Sequence, residues 1–173
     1  MKASAEPRTQ IIAGAERVFD LHGFANSGMD TLTAAAGVSS RTLYKHLGSK
    51  TGLTVAVLEA RMSRFFDRCQ VDSVDELFAR LEDWVRAEGS RGCLFLRAQG
   101  EAGGNPAIAE VVTQYRARLQ AMIAGIVSDP ALAVKVLILV EGATAAASYL
   151  GPEAVTSARA GALSLLDHVR DGH

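Results

Sequence analysis

Along most of the chain apolar residues recur at helical rather than strand spacing. Ile11, Ala15, Val18 and Phe19, continued by His22, fall at i, i+4, i+7, i+8 and i+11, which is one face of a helix. This predicts a first helix after Pro7 and Thr9. It ends at Gly23, a residue suited to a left-handed cap, with Phe24 folding back as the accompanying apolar contact. Ser27 offers an N-cap for a short second helix carrying Met29, Leu32 and Ala36 and closed by Gly37. Ser49 caps a long helix with Leu53, Val57, Leu58, Phe65 and Phe66 inward, running to about Cys69.

The pattern continues with a helix over roughly 75 to 88 (Leu77, Leu81, Trp84, Val85) and a short one from Leu94 to Glu101 inside a glycine-punctuated piece. From Ala107 to Val127, Ile108, Val111, Val112, Tyr115, Leu119, Met122, Ile123 and Ile126 keep helical register for about five turns. Residues 131 to 150 predict a helix that is apolar almost all round, and a last helix starts at Pro152 and runs to about Val169. Strand-like alternation is scarce, so the expected fold class is all-α with about nine helices. A helix without a polar face must be covered on most sides, by its own chain or by another copy.

Composition narrows the function. At 173 residues, with 49% apolar residues, the chain suffices for one good core or a small module joined to a larger one, not for two full-sized enzyme domains. Its formal charge of −1 hides an asymmetry: residues 1 to 64 carry eight Lys/Arg, Lys2 among them, against five acids, and the remainder carries ten against fourteen. A basic half beside an acidic half fits a polyanion-binding module joined to a soluble body. Cys69 and Cys93 form no CxxC and no paired His/Cys spacing, so neither a structural metal nor a disulfide framework is expected. The N-terminal stretch lacks the apolar core of a signal peptide, and the run from Val136 to Leu150 is broken by Glu141 and shorter than the ~20 residues a membrane span takes. The expected location is cytoplasmic, with no membrane partner.

Chemistry concentrates in GVSSRTLYKHLGSK, residues 37 to 50. On a helix from Ser40, Leu43 and Leu47 fall together and can pack inward, while Arg41, Thr42, Lys45 and His46 spread over the other half and Tyr44 lies at the boundary. Such a short helix is unstable alone and must be held by those before it. Gly37 permits the sharp turn, Val38 fills the corner and Ser39 caps the new helix. This is the layout of a helix-turn-helix, whose second helix enters the major groove of DNA. Arg41 could read a guanine edge, Thr42 a base or a thymine methyl, and Lys45 base or phosphate; Tyr44, His46 and Lys50 suit phosphate oxygens.

Residues 9 to 58 also resemble the DNA-binding domain of the TetR family of bacterial transcriptional regulators. The resemblance rests on AERVFDLHGF, on AAAGVSSRTLYKHLGSK and on the following GL. It implies that Ser40, Arg41, Thr42, Tyr44, Lys45 and His46 lie on the recognition helix and that Lys50 contacts the DNA backbone. Thr33, Leu47, Gly28 and Asp30 depart from the family's usual residues. Asp30 matters most, because an acid near phosphate weakens binding, so that edge is expected to stand away from DNA. The implied division is a helix-turn-helix DNA-binding domain over 1–52 and a ligand-binding and dimerisation domain over 53–173.

Beyond residue 65 the resemblance is one of layout. It implies a homodimer built through the last two helices, released from a palindromic operator in double-stranded DNA by a small-molecule effector that shifts the fourth helix. Small residues (Ala143, Ala145, Ala146, Ala147, Ala158, Gly161, Ala162) and bulky Leu163, Leu166 and Val169 suit close helix approach. Phe78, Trp84, Phe95, Tyr115, Leu119 and Met122 could line an apolar cavity, with Gln99 and Glu141 as polar handles. Glu141 reads more simply as an exposed residue or as the partner of an arginine such as Arg97, and Trp84 as core. Cys93 could sense redox state, though its GCLFL setting reads as packing. The alternative function is a small-molecule-binding protein or an enzyme using the C-terminal pocket. Residues 65 to 173 hold only His168 and His173 at the far end, with no catalytic grouping, so neither enzymatic activity nor a cofactor is expected.

Overall fold

The computed structural model describes residues 6–170 and, within that span, every side chain but that of Arg170; Lys2 and His173 lie outside the described residues. The described residues form nine helices and no strand: α1 (Pro7–His22), α2 (Met29–Ala36), α3 (Ser40–Leu47), α4 (Lys50–Arg68), α5 (Val74–Ala87), α6 (Leu94–Ala102), α7 (Pro106–Ile126), α8 (Pro130–Leu150) and α9 (Glu153–Arg170). The all-α class read from periodicity holds, and the helix ends fall within a residue or two of those expected. They gather into two compact units. One comprises Met1–Ser63 with Leu94–Thr113, and the other Arg64–Cys93 with Gln114–His173. This grouping does not follow a single division at residue 52.

In the first unit Ile11, Ala15 and Phe19 of α1 meet Leu32 of α2, Leu43 of α3 and Leu53, Val57 and Leu58 of α4 in one core from which solvent is excluded. Burying each large aliphatic side chain contributes about 1.5–3 kcal/mol. Gly14 sets the distance between α1 and α2: a Cβ there would lie 2.7 Å from the Cα of Ala36. Arg61 of α4 is buried between Glu16 and Asp20 of α1 and donates to both at 3.0 Å. An uncompensated charge at that depth would be strongly destabilising, so the two carboxylates are what allow it inside.

The α1–α2 corner differs from expectation in one respect. The N-cap of α2 is Gly28, with no side-chain cap bond. Ser27 is buried and donates its hydroxyl to the carbonyl of Gly23 instead. A serine hydroxyl can serve a local carbonyl as readily as a helix end. Phe24 does fold back, its ring centroid 4.6 Å from that of Phe19.

In the second unit α8 packs chiefly on α9, and α5 lies against both. Leu77, Phe78 and Leu81 of α5, Val136, Val140, Ala143 and Ala147 of α8, and Val155 and Ala162 of α9 are buried together with Leu119 and Ile123 of α7. Asp129 caps α8 by accepting from the amide of Leu132 at 2.8 Å. Arg159 of α9 makes a two-pronged pair with Asp75 of α5, both bonds 2.8 Å. α8 starts at Pro130 and, with 21 residues, is long and apolar enough to cross a membrane by length and composition alone. Lys135 and Glu141 are exposed on it, and so are Val134, Ile138, Tyr149 and Leu150.

Candidate nucleic-acid interface

The turn from α2 into α3 is built by backbone and one hydroxyl. Gly37 ends α2 in the left-handed region (φ 66°) and donates to the carbonyl of Ala34, and Val38 donates to that of Thr33. Ser39 then accepts from the amide of Thr42 at 3.2 Å, satisfying one of the amides a helix start leaves open. Its oxygen also lies 2.9 Å from the Thr42 hydroxyl, which ties that hydroxyl to the cap. At the other end Gly48 closes α3, and Ser49 accepts from the amide of Gly52 at 2.9 Å to start α4. A side chain at residue 52 would put Cβ 2.1 Å from the carbonyl oxygen of Leu47, so the joint between α3 and α4 requires glycine.

α3 is sharply two-sided. Leu43 is fully buried and Leu47 half-buried, whereas Ser40, Arg41, Tyr44, Lys45 and His46 are exposed, Tyr44 to 49%. Thr42 is half-buried, and so is Lys50 at the first position of α4. The face thus brings together, within one and a half turns and the next helix start, the donors Arg41, Tyr44, Lys45, His46 and Lys50. The cationic Lys45 in the last turn of α3 also complements the negative end of the helix dipole. Asp30 is exposed in the first turn of α2.

Side chains beside the recognition motif support the turn. Gln10 and Arg17 of α1 donate to the carbonyls of Ala36 and Ala35, at 3.0 and 3.4 Å, holding the end of α2. Thr33, an unusual residue for its position, is buried and returns its hydroxyl to the carbonyls of Met29 and Asp30, both at 3.0 Å. The only sequence signal for Gln10 and Arg17 was their place on the polar side of α1, which many surface residues share.

The residues suggested for a ligand cavity are spread over both units: Phe95 and Gln99 belong to the first, and Phe78, Trp84, Tyr115, Leu119, Met122 and Glu141 to the second. Phe78 and Leu119 are fully buried. The rings of Trp84 and Tyr115 stand edge-on to Phe65, with centroids 5.3 and 6.0 Å away, a packed aromatic cluster. Phe95 is buried and Gln99 exposed. Glu141 is exposed and pairs with Arg116 at 3.8 Å, while Arg97 donates to the carbonyls of Phe19 and Asp20. Met122 borders a cavity of about 570 Å³ shared with Phe66, Asp67, Cys69, Asp72 and Arg118. Burial pushes the Cys69 thiol up to about 11, which keeps it protonated and inert. Cys93 is half-buried and in no disulfide.

Residues 11–57 match the family of bacterial regulatory proteins, tetR family. Over 54 residues, 31% of its length, the chain is 43% identical to the HTH-type transcriptional activator FasR of Mycolicibacterium smegmatis, and it spans about a quarter (25%) of that relative's length. Among solved structures, SCO4454, a TetR-family transcriptional regulator from Streptomyces coelicolor, superposes with a TM-score of 0.83 at 26% identity, over 95% of this chain and 96% of the other. The multidrug binding protein EbrR, solved in complex with malachite green, shares the fold with a TM-score of 0.73 at 23% identity, over 93% of this chain and 98% of the other.

Proposed function

We propose that this chain, whose residues 11–57 belong to the tetR family of bacterial regulatory proteins, is a cytoplasmic DNA-binding regulator of transcription. In this reading it acts as a homodimeric repressor that a small molecule releases from a palindromic operator. The observation that carries the reading is the two-sidedness of α3: Leu43 inward, and Arg41, Tyr44, Lys45 and His46 outward in one patch. Arg41, Thr42 and Lys45 are the readers of base edges, and Ser40, Tyr44, His46 and Lys50 fix the helix against phosphate and sugar. Thr42 contributes through its methyl, because its hydroxyl is engaged with Ser39. The functional division at 52/53 and the absence of enzymatic chemistry belong to the same proposal.

Dimerisation resolves how a chain of net charge −1 holds a polyanion, because a local basic face is presented twice. Two recognition helices about 34 Å apart would meet successive turns of the groove. Support comes from α8, where Val134, Ile138 and Tyr149 are exposed along one line of the helix and a Cβ on Gly142 would meet nothing. The effector site is proposed in the second unit, around Phe78, Trp84, Tyr115, Leu119, Met122 and Glu141. Met122 lies at the edge of a cavity of about 570 Å³. That EbrR binds malachite green on the same fold supports a small-molecule effector.

Gel shifts with duplex DNA at two salt concentrations test this. Specific retardation that weakens as salt rises is expected, since phosphate contacts release counterions. Converting Tyr44 and Lys45 together to alanine should abolish the shift while leaving the oligomeric mass unchanged. Retention of the wild-type shift would remove α3 as the reading element.

A further inference from the structure

Arg97 and Glu101 stand one turn apart on α6 and reach the same corner of the first unit, where α1 ends and the chain turns toward α2. Arg97 donates from one guanidinium nitrogen to the carbonyls of Phe19 (3.1 Å) and Asp20 (2.9 Å) in the last turn of α1. Glu101 accepts through one carboxylate oxygen from the amides of Phe24 (2.6 Å) and Ala25 (2.9 Å), just past that turn. Each charge therefore meets backbone partial charges of the opposite sign, and charge-assisted bonds of this kind are stronger than neutral ones.

Gly23 makes the second half of the grip possible. It sits at φ +80°, and a Cβ there would lie 2.7 Å from both carboxylate oxygens of Glu101, so any side chain would expel the carboxylate. The residue thus ends α1 and clears the path for Glu101. Beyond it, residues 23–28 are not helical, and α2 and α3 have eight residues each, too short to hold a position unaided. Glu101 also borders a cavity of about 400 Å³ with Phe24, Lys50 and Asn105, which gives the carboxylate space to leave the two amides without disturbing the core.

We propose that Arg97 and Glu101 are positioning residues for DNA binding: α6 holds the α1–α2 corner, and through it the helix pair that presents the reading face, as a catch that can open. Neither residue touches DNA. The inference rests on the DNA-binding reading of α3.

The test uses the full-length chain and a duplex selected by the wild-type protein from a random pool. Glu101→Ala should weaken binding to that duplex about tenfold, the loss expected when a charged acceptor is withdrawn from two amides. Glu101→Gln, which keeps an acceptor oxygen in place, should return affinity to within about threefold of wild type. In parallel, amide hydrogen exchange over residues 24–47 should quicken in Glu101→Ala, with that of α8 and α9 unchanged, which separates a released corner from general unfolding. Wild-type affinity in Glu101→Ala, a glutamine variant as weak as the alanine one, or unchanged exchange at residues 24–47 would each overturn the proposal. Failure of the wild-type chain to select any duplex overturns the DNA-binding reading, and the positioning role with it, whatever the exchange data show of the catch itself.

Discussion

Replacing Leu43 with alanine tests how the reading helix is held. Leu43 is the one fully buried residue of α3, so truncation should leave a cavity beneath α3 and destabilise the fold by about 2–5 kcal/mol, measured by urea denaturation. An unchanged midpoint would show that α3 does not depend on this contact. A different chemistry governs Asp75. Hydrogen bonds from Arg159 hold its carboxyl below the usual carboxylate range, with partial loss of hydration opposing them and the guanidinium charge adding to them. The folded chain then binds the proton less readily than the unfolded one, so the pair contributes stability above the ordinary carboxylate range and loses it as pH falls through the lowered native value. Thermal midpoints of wild type and Asp75→Asn should accordingly differ near neutrality and converge in acid. A gap that persists at low pH would assign the effect to something other than this pair.

The short helices depend on their ends. Ser39 satisfies the Thr42 amide at the start of α3, and Ser39→Ala should cost about 1 kcal/mol of stability, seen as a lowered denaturation midpoint. No change would mean that water replaces the cap without loss. Caps of this kind were legible in the sequence, because Ser39 and Ser49 directly precede runs of helical period. The inward set Leu43, Leu53, Val57 and Leu58 was legible for the same reason. Ser27 misled because its residue type suits both a helix cap and a turn, and only the folded path decides between them. What periodicity could not convey was close approach and distant pairing. Gly14 and Gly52 are required by backbone atoms on neighbouring helices, and Arg61 finds Glu16 and Asp20 across more than forty residues of chain. The cavity residues show the reverse difficulty: large side chains such as Phe78 and Leu119 fit a pocket lining and a packed core equally well until burial is known.

At the scale of the whole molecule, the dimer proposal rests on the exposed line Val134, Ile138 and Tyr149 of α8. Light scattering should return about twice the chain mass of 18.3 kDa. Ile138, 63% exposed near the middle of that line, is the place to break it: Ile138→Glu puts a charge where two copies would meet and should yield a monomer that stays folded. A wild-type monomer at micromolar concentration, or a variant that stays dimeric, would count against the α8 interface.

Helix α6 carries one more consequence. The first compact unit takes Met1–Ser63 and then, after thirty residues spent in the other, Leu94–Thr113. Its hold on the α1–α2 corner comes from that second visit, through side chains 76 to 78 positions away in sequence. The first compact unit is therefore not severable by a single cut. A fragment ending after α4 would keep residues 11–57 and lose Arg97 and Glu101, so a chimaera that transplants this unit must carry residues 94–113 along with it.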